Sequence, residues 1–168
     1  QAGQKYVLDG SHFLNKNIFV RTSKNIFAYQ SIGGTNSNAN QNLFFVPPLN
    51  CSTPKIVDYI PQINLIGSRN YDGTVNIVTE ADANVLINET PIGVAPTQIT
   101  GNPKFVYFSI TGLTGNVAIK SSKQVYVSYY GTNVNAIGAG SHGWTGNTTT
   151  SQAIRNYFQT SKIGLPVV

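Results

Sequence analysis

An internal repeat places the strongest constraint on how this chain folds. Shifting the sequence by 99 residues lays residues 5–31 over residues 104–130 without a gap. The identical pairs include Lys5 and Lys104, Val7 and Val106, Leu14 and Leu113, Asn17 and Asn116, and Lys24 and Lys123. After a slip of two residues, GTNSNA at 34–39 is matched by GTNVNA at 131–136. Self-similarity of this kind indicates a repeated structural unit, so we expect both copies to fold as three strands followed by a polar loop.

Short apolar stretches separated by Gly, Pro and Asn run along the chain, and no long amphipathic helix is indicated. The predicted strands lie at 5–8, 17–20, 25–30, 43–46, 74–79, 84–88, 105–110, 117–120 and 125–130. Many short strands with frequent reversals are typical of sandwiches and barrels, because each strand buries one face before the chain turns back. We therefore predict an all-β, jelly-roll-like β-sandwich with an internal pseudo-repeat of about 30 residues.

The repeat also suggests the domain organisation. A lone hairpin is marginal in water, so the two copies and the segment between them are expected to share one core. The prediction is one module over 1–168, with repeat copies at 5–39 and 104–136, connecting strands at 43–100 and a C-terminal segment at 148–168. That last segment contains the one candidate helix, 151–160, and a final strand is the alternative. Two tandem sandwiches are the competing layout, and proteolytic release of a stable half-length fragment would favour them.

Composition narrows the functional classes. The chain has 168 residues, 10% of them charged, and a net charge of +5 with a pI near 9.4. The basic residues are scattered and no nucleic-acid-binding motif is present, so we expect no nucleic-acid partner. No apolar run approaches the roughly 20 residues of a membrane span. The single cysteine excludes an internal disulfide, and abundant Asn, Thr, Ser and Gly favour a secreted or cell-surface protein.

Three stretches together resemble the N-terminal domain of the IgGFc-binding family: FFVPPLNCSTPKIVDYIPQINLIG, GTVNIVTEADANVLINETPI and SSKQVYVSYYGTN. The resemblance runs from about residue 4 to 143, and departures from it begin after Asn135, where AIGAGSHGWTG replaces the aromatic, Gly-rich ending of the family. It implies a β-rich module of long, secreted, adhesin-like bacterial surface proteins. Binding of antibody Fc belongs to the animal relatives for which the family is named, and the resemblance does not carry it over.

The paired GTNxNA loops contain the main candidates for a binding site. Their Asn and Thr side chains offer amide and hydroxyl groups suited to sugar hydroxyls, and nearby aromatic residues would provide an apolar platform. The predicted ligand-binding residues are Tyr129, Tyr130, Thr132, Asn133, Asn135, His142, Trp144, Asn36 and Asn38. The simpler alternative is that these Asn and Thr residues only satisfy the backbone of turns, which is their commonest use.

Other reactive side chains favour simple interpretations. His12 and His142 have no Cys, His or carboxylate at metal-ligand spacing, so we expect no metal, cofactor or catalytic site. Ser141 and His142 are adjacent and would point to opposite faces of a strand. The sequence NYDG at 70–73 lacks the pattern of a calcium loop and is interpreted as a turn. Cys51, which has no basic neighbour in sequence, is expected to be a buried small hydrophobe.

Arg21, Lys24, Lys120 and Lys123 bracket the equivalent turns of the two copies. They would form two positive corners for an anionic glycan, or they only solvate a hairpin. The expected function is a non-catalytic extracellular binding or adhesion module that recognises glycans. The alternative is a structural repeat of a fibre or stalk, and a glycan hydrolase comes last. The expected partners are a surface glycan, a host or neighbouring-cell protein, copies of the chain or adjacent domains, without membrane insertion.

Overall fold

A computed structural model describes residues 3–32, 42–49, 51, 53–66, 68–133 and 136–142. Its regular structure is almost entirely strand, with one short 3-10 helix at Gly10–His12. The strands are β1 (Tyr29–Ile32), β2 (Asn42–Phe45), β3 (Ile56–Ile60), β4 (Leu65–Ile66), β5 (Arg69–Asn70), β6 (Asp72–Glu80), β7 (Val85–Ile87), β8 (Thr90–Pro91), β9 (Thr97–Gln98), β10 (Phe105–Leu113), β11 (Val117–Ser121), β12 (Tyr126–Asn133) and β13 (Ala136–His142). No helix in this described part is long and apolar enough to cross a bilayer.

Two antiparallel sheets form the body of the protein. One has five strands in the order β13-β12-β6-β10-β9, and the other has four in the order β3-β11-β7-β8. The chain changes sheets between β10 and β11 and returns at β12. Two-stranded pairs, β1 with β2 and β4 with β5, complete the paired strands that the structure describes. The predicted all-β sandwich is confirmed.

The core fills the space between the two sheets. Strand β6 shows why these sequences become strands, since Val75, Ile77 and Thr79 alternate with half-buried residues and turn one face inward. Ile119 of β11 faces them from the other sheet and is fully buried. The remaining buried members of this cluster are Val57, Ile60, Ile63, Val85, Val106, Phe108, Val117, Val125 and Val127.

The two copies of the repeat differ in conformation. The second copy forms β10, β11 and β12, as predicted, and contributes strands to both sheets. The described part of the first copy contributes to neither of these two sheets, and the strands predicted at 5–8 and 17–20 are wrong, while that at 25–30 is a strand only from Tyr29. The physical reason is that β3, β6 and β7 already pair with the second copy, so the first copy has no complementary strands to pair with.

Elsewhere the predicted strands agree with β2, β6, β7, β10, β11 and β12 to within a few residues. The sequence did not reveal β3, which lies between two prolines and exposes Ile56 and Tyr59. It also did not reveal β13, a strand rich in Gly and Ala that pairs with β12 along its whole length. The predicted segment at 148–168 lies outside the described residues, and the single-module organisation stays a prediction.

Candidate functional site

Four of the predicted binding residues lie at the end of β12. Alternation along the strand turns Tyr129 toward the core, where it packs against buried residues, and places Tyr130 and Thr132 on the opposite face. Tyr130 and Thr132 are half-buried and Asn133 is exposed. The Asn133 side-chain amide donates a hydrogen bond to the carbonyl of Asn70, so this amide is used within the fold.

The other predicted binding residues give less information. His142 lies in β13, opposite Val127 of β12. Asn36, Asn38, Asn135 and Trp144 lie outside the described residues. The structure therefore places four of the nine predicted binding residues on β12. That the two GTNxNA loops form one site stays a prediction.

The residues around Asp72 form a tightly built strand end. Asp72 starts β6 and accepts a hydrogen bond from the backbone amide of Gly112, which lies at an irregularity in β10 with a φ of 72°. Asp72 is paired with Thr132 of β12. Within the described ranges no three His, Cys, Asp or Glu residues group closely enough to hold a metal ion. The carboxylate of Asp72 has a structural role at this position.

Asp9, Ser11 and His12 form a cluster that the sequence analysis did not single out. The Asp9 carboxylate accepts hydrogen bonds from the Ser11 hydroxyl at 2.6 Å and the Ser11 amide at 3.0 Å, and Nδ1 of His12 lies 3.0 Å away. These contacts, led by the Ser11 hydroxyl, lower the pKa of Asp9. In a catalytic triad serine and aspartate contact opposite ring nitrogens, whereas here both lie beside Nδ1. The arrangement is an N-cap of the short 3-10 helix.

Cys51 is exposed, which corrects the expectation of a buried thiol. The neighbouring Thr53 takes the buried place and donates a hydrogen bond to the carbonyl of Pro48. Cys51 lies in a turn. Its backbone carbonyl accepts a hydrogen bond from the Gln124 side chain, which holds the backbone of Cys51 at the surface.

A small apolar pocket of about 160 Å³ opens at the edge between the sheets. Its walls include Ile87, Ile92 and Val94 on one side and Ile110 and Leu113 of β10 on the other. None of its lining side chains is ionisable, so the pocket offers no general acid, base or nucleophile.

Charged residues at the turn between β6 and β7 form a compact cluster. Nζ of Lys123 lies 3.0 Å from the Asp82 carboxylate and 3.9 Å from that of Glu80, and Nζ of Lys104 lies 3.7 Å from Glu80. The hydrogen bond between Lys123 and Asp82 lowers the pKa of Asp82 and raises that of Lys123.

The ion pairs of this cluster bear on the two positive corners that the sequence predicts at Arg21 and Lys24 and at Lys120 and Lys123. Lys120 also pairs with an acid, Glu89, so the corner of the second copy is neutralised. Arg21 and Lys24, in the first copy, form no ion pair within the described residues. Within the described residues the two corners therefore do not match, because acids pair with the lysines of the second copy and none pairs with Arg21 or Lys24.

The most unusual surface of the molecule is the N-terminal apolar segment, residues 6–29. Of the fourteen exposed large hydrophobic residues in the described part of the chain, ten lie in this segment. They are Tyr6, Val7, Leu8, Phe13, Leu14, Phe19, Val20, Ile26, Phe27 and Tyr29. Tyr6 and Phe27 are each 81% exposed. Single exposed apolar residues are ordinary, but a concentration of this kind marks an interaction surface.

A short turn anchors this segment to the sandwich. The Asn17 side chain donates to the Gln98 carbonyl at 3.1 Å and accepts from the Thr100 amide at 2.9 Å. The Tyr107 hydroxyl donates to the carbonyl of Asn15 at 3.3 Å. From the sequence, the apolar residues of this segment were predicted to lie in the core. The signal against that prediction is that the sequence has two copies of the repeat but a single set of predicted strands between them.

A β-sandwich that presents a large exposed apolar segment has the features of a binding module. The chain belongs to the family described as IgGFc binding protein, whose model matches residues 1–131. The match covers the first copy, the intervening strands and the second copy, and it ends within β12. The resemblance seen in the sequence is therefore confirmed. Searches of curated proteins and of solved structures gave no significant match.

Proposed function

We propose that this chain is a non-catalytic, extracellular module of a secreted bacterial surface protein, and that it binds another protein through its N-terminal apolar segment. The observation that carries the proposal is the concentration of ten exposed large hydrophobic residues within residues 6–29. Such area is unfavourable in water at roughly 25 cal/mol per Å², so a partner that covers it gains the hydrophobic contribution to binding.

Two further observations support a binding role. The family to which the chain belongs is described by a binding activity toward a protein, the Fc part of IgG. The Ser–His–Asp trio at residues 9–12 is a helix cap, and the apolar pocket has no ionisable lining. An extracellular location agrees with the few charges and the abundance of Asn, Thr, Ser and Gly.

The test is binding of the full chain to three immobilised probes: the chain itself, human IgG Fc and a glycan array. A Val7→Asp/Phe27→Asp variant removes the apolar segment as a contact surface, and Val94→Asp, at another exposed apolar position, is the matched control. We expect the double variant to lose at least tenfold in affinity for a protein probe and the control to bind normally. A protein probe that binds the double variant as tightly as it binds the parent chain would contradict the proposal.

Glycan recognition is the second candidate. Tyr130 and Thr132 lie side by side on one face of β12 and keep part of their surface exposed, as an aromatic and hydroxyl sugar platform requires. On the glycan array we expect Tyr130→Ala to abolish any sugar signal, whereas Tyr59→Ala on the other sheet retains it. A signal equally strong in both variants, or no signal from the parent chain, argues against sugar binding.

A further inference from the structure

Aligned positions of the two copies differ sharply in burial. Val20 is 47% exposed while its counterpart Ile119 is 0% exposed, and Phe27 is 81% exposed while its counterpart Tyr126 is 7% exposed. The same contrast holds for Val7 against Val106 and for Ile26 against Val125. Val7, Val20 and Ile26 of the first copy therefore align with residues that the second copy buries in the core, but no strand of the described part of the chain covers them.

Aligned lysines of the two copies also differ in the described part of the chain, because those of the second copy have acidic partners and those of the first do not. Lys104 and Lys123 of the second copy contact Glu80 and Asp82 at the turn between β6 and β7. Their identical counterparts in the first copy, Lys5 and Lys24, have no carboxylate partner within the described residues. Both the apolar face and the two lysines thus match one kind of partner, a pair of apolar strands like β6 and β7 with acidic residues at the turn between them.

The first copy is already folded at one reversal. Leu14 and Asn17 exchange two backbone hydrogen bonds of 3.0 Å around a turn in which Asn15 and Lys16 have φ values of 51° and 62°. The aligned residues 113–116 connect β10 to β11. Both copies therefore reverse at the aligned position, where Lys16 and its counterpart Gly115 share a positive φ, and in the second copy this connection leads from one sheet to the other.

We propose that residues 5–31 form the last three strands of a second sandwich, completed by a second module of the same family that supplies two strands like β6 and β7, one for each sheet, joined by an acidic turn. Lys5 and Lys24 pair with that acidic turn, and Val7, Val20 and Ile26 pack against the apolar faces of the two strands. This rests on the proposed function, because it identifies the protein that covers the apolar segment. A plain dimer of this chain does not satisfy the pairing, since the described part of each chain has one such pair of strands and its own second copy occupies it.

The test adds the missing strands. A second copy of residues 42–103 is placed directly before Lys5 of the chain, so that Pro103 precedes Lys5 as it precedes Lys104. Hydrogen–deuterium exchange then reports protection of the amides in residues 5–31. We expect exchange at residues 7, 18, 20 and 26 to slow at least tenfold relative to the parent chain. The fusion that carries Val75→Asp and Ile77→Asp in the added copy alone is the control and should show no gain.

A charge-reversal arm tests the register. Glu80→Lys/Asp82→Lys in the added copy should reduce the gain in protection, and Lys5→Glu/Lys24→Glu in the same protein should restore it at least in part. No gain in the unmodified fusion overturns the inference, as does an equal gain in the aspartate control or an added copy that stays unfolded beside a folded parent sandwich. If residues 5–31 are already as protected in the parent chain as residues 104–130, the proposed function itself fails.

Discussion

Gly73 and Gly131 lie directly opposite each other on β6 and β12, and neither has room for a side chain. A β-carbon on Gly73 would lie 2.5 Å from the carbonyl oxygen of Leu113 and 2.9 Å from Cγ2 of Ile63. A β-carbon on Gly131 would lie 2.8 Å from that of Tyr71. This glycine pair lets the strand end at Asp72 and Thr132 pack closely against its neighbours.

Gly73→Ala is therefore expected to destabilise the fold by about 1–3 kcal/mol, because the closest neighbour is backbone and cannot move aside. Urea unfolding followed by fluorescence measures the change. Gly93→Ala is the control, since a β-carbon there meets nothing within 4 Å, and its effect should stay within about 0.5 kcal/mol. Equal stability of the Gly73→Ala variant and the parent would contradict the close packing.

The sequence predicted the strands whose apolar side chains have partners. In β6, Val75 and Ile77 are separated by the polar Asn76 and lie in a short run of β-branched residues between turn signals, which indicated a strand. The same reasoning failed for Val7 and Val20, because periodicity shows which face of a strand is apolar but not whether a partner strand exists.

The candidate site was less predictable for a related reason. The bond from Asn133 to Asn70 joins residues far apart in the chain, and no local pattern indicates it. Lys123 is likewise far from Glu80 and Asp82 in the chain, yet the fold brings its ammonium group to both carboxylates. Pairing of this kind depends on the register between strands, which the sequence pattern alone left open.

The difference between the two copies predicts unequal effects of matched substitutions. Ile119 is fully buried, so Ile119→Ala should cost about 2–5 kcal/mol from lost burial and the cavity left behind. Val20 occupies the aligned position and is exposed, so Val20→Ala should change the free energy of unfolding by less than about 0.5 kcal/mol. Similar losses for both variants, measured by urea unfolding, would show that the first copy is packed in the isolated chain.

The pair of Asp82 and Lys123 predicts a pH window. The hydrogen bond from Lys123 lowers the pKa of Asp82 below 3.8, so this contribution is present above pH 3.8 and is lost as the pH falls through the lowered pKa. The pKa of Lys123 is raised above 10.5, so its contribution is present below pH 10.5 and is lost as the pH rises through the raised pKa.

The stability difference between the parent and Asp82→Asn should consequently be small and constant from about pH 5 to pH 9, and it should vanish in strong acid. Thermal unfolding at pH 2, 5, 7 and 9 measures it. Both side chains are partly exposed, so about 1 M salt should shrink the difference at pH 7. A difference that grows as the pH falls would show that the carboxylate acts in another way.

The turn between β7 and β8 contains a residue that glycine should improve. Ile87 pairs with Thr90 across Asn88 and Glu89, whose φ values are 48° and 63°, as in a type I′ hairpin turn. Asparagine suits the first position, but a glutamate in the left-handed region is strained by about 1 kcal/mol, and glycine is not. Glu89→Gly should therefore raise the free energy of unfolding by about 0.5 kcal/mol, after the greater entropy of glycine in the unfolded chain is subtracted.

Glu89→Ala separates this effect from the exposed pair with Lys120, because it removes the same carboxylate while keeping a β-carbon at positive φ. A Glu89→Gly variant no more stable than Glu89→Ala would mean that the strain at this turn is negligible.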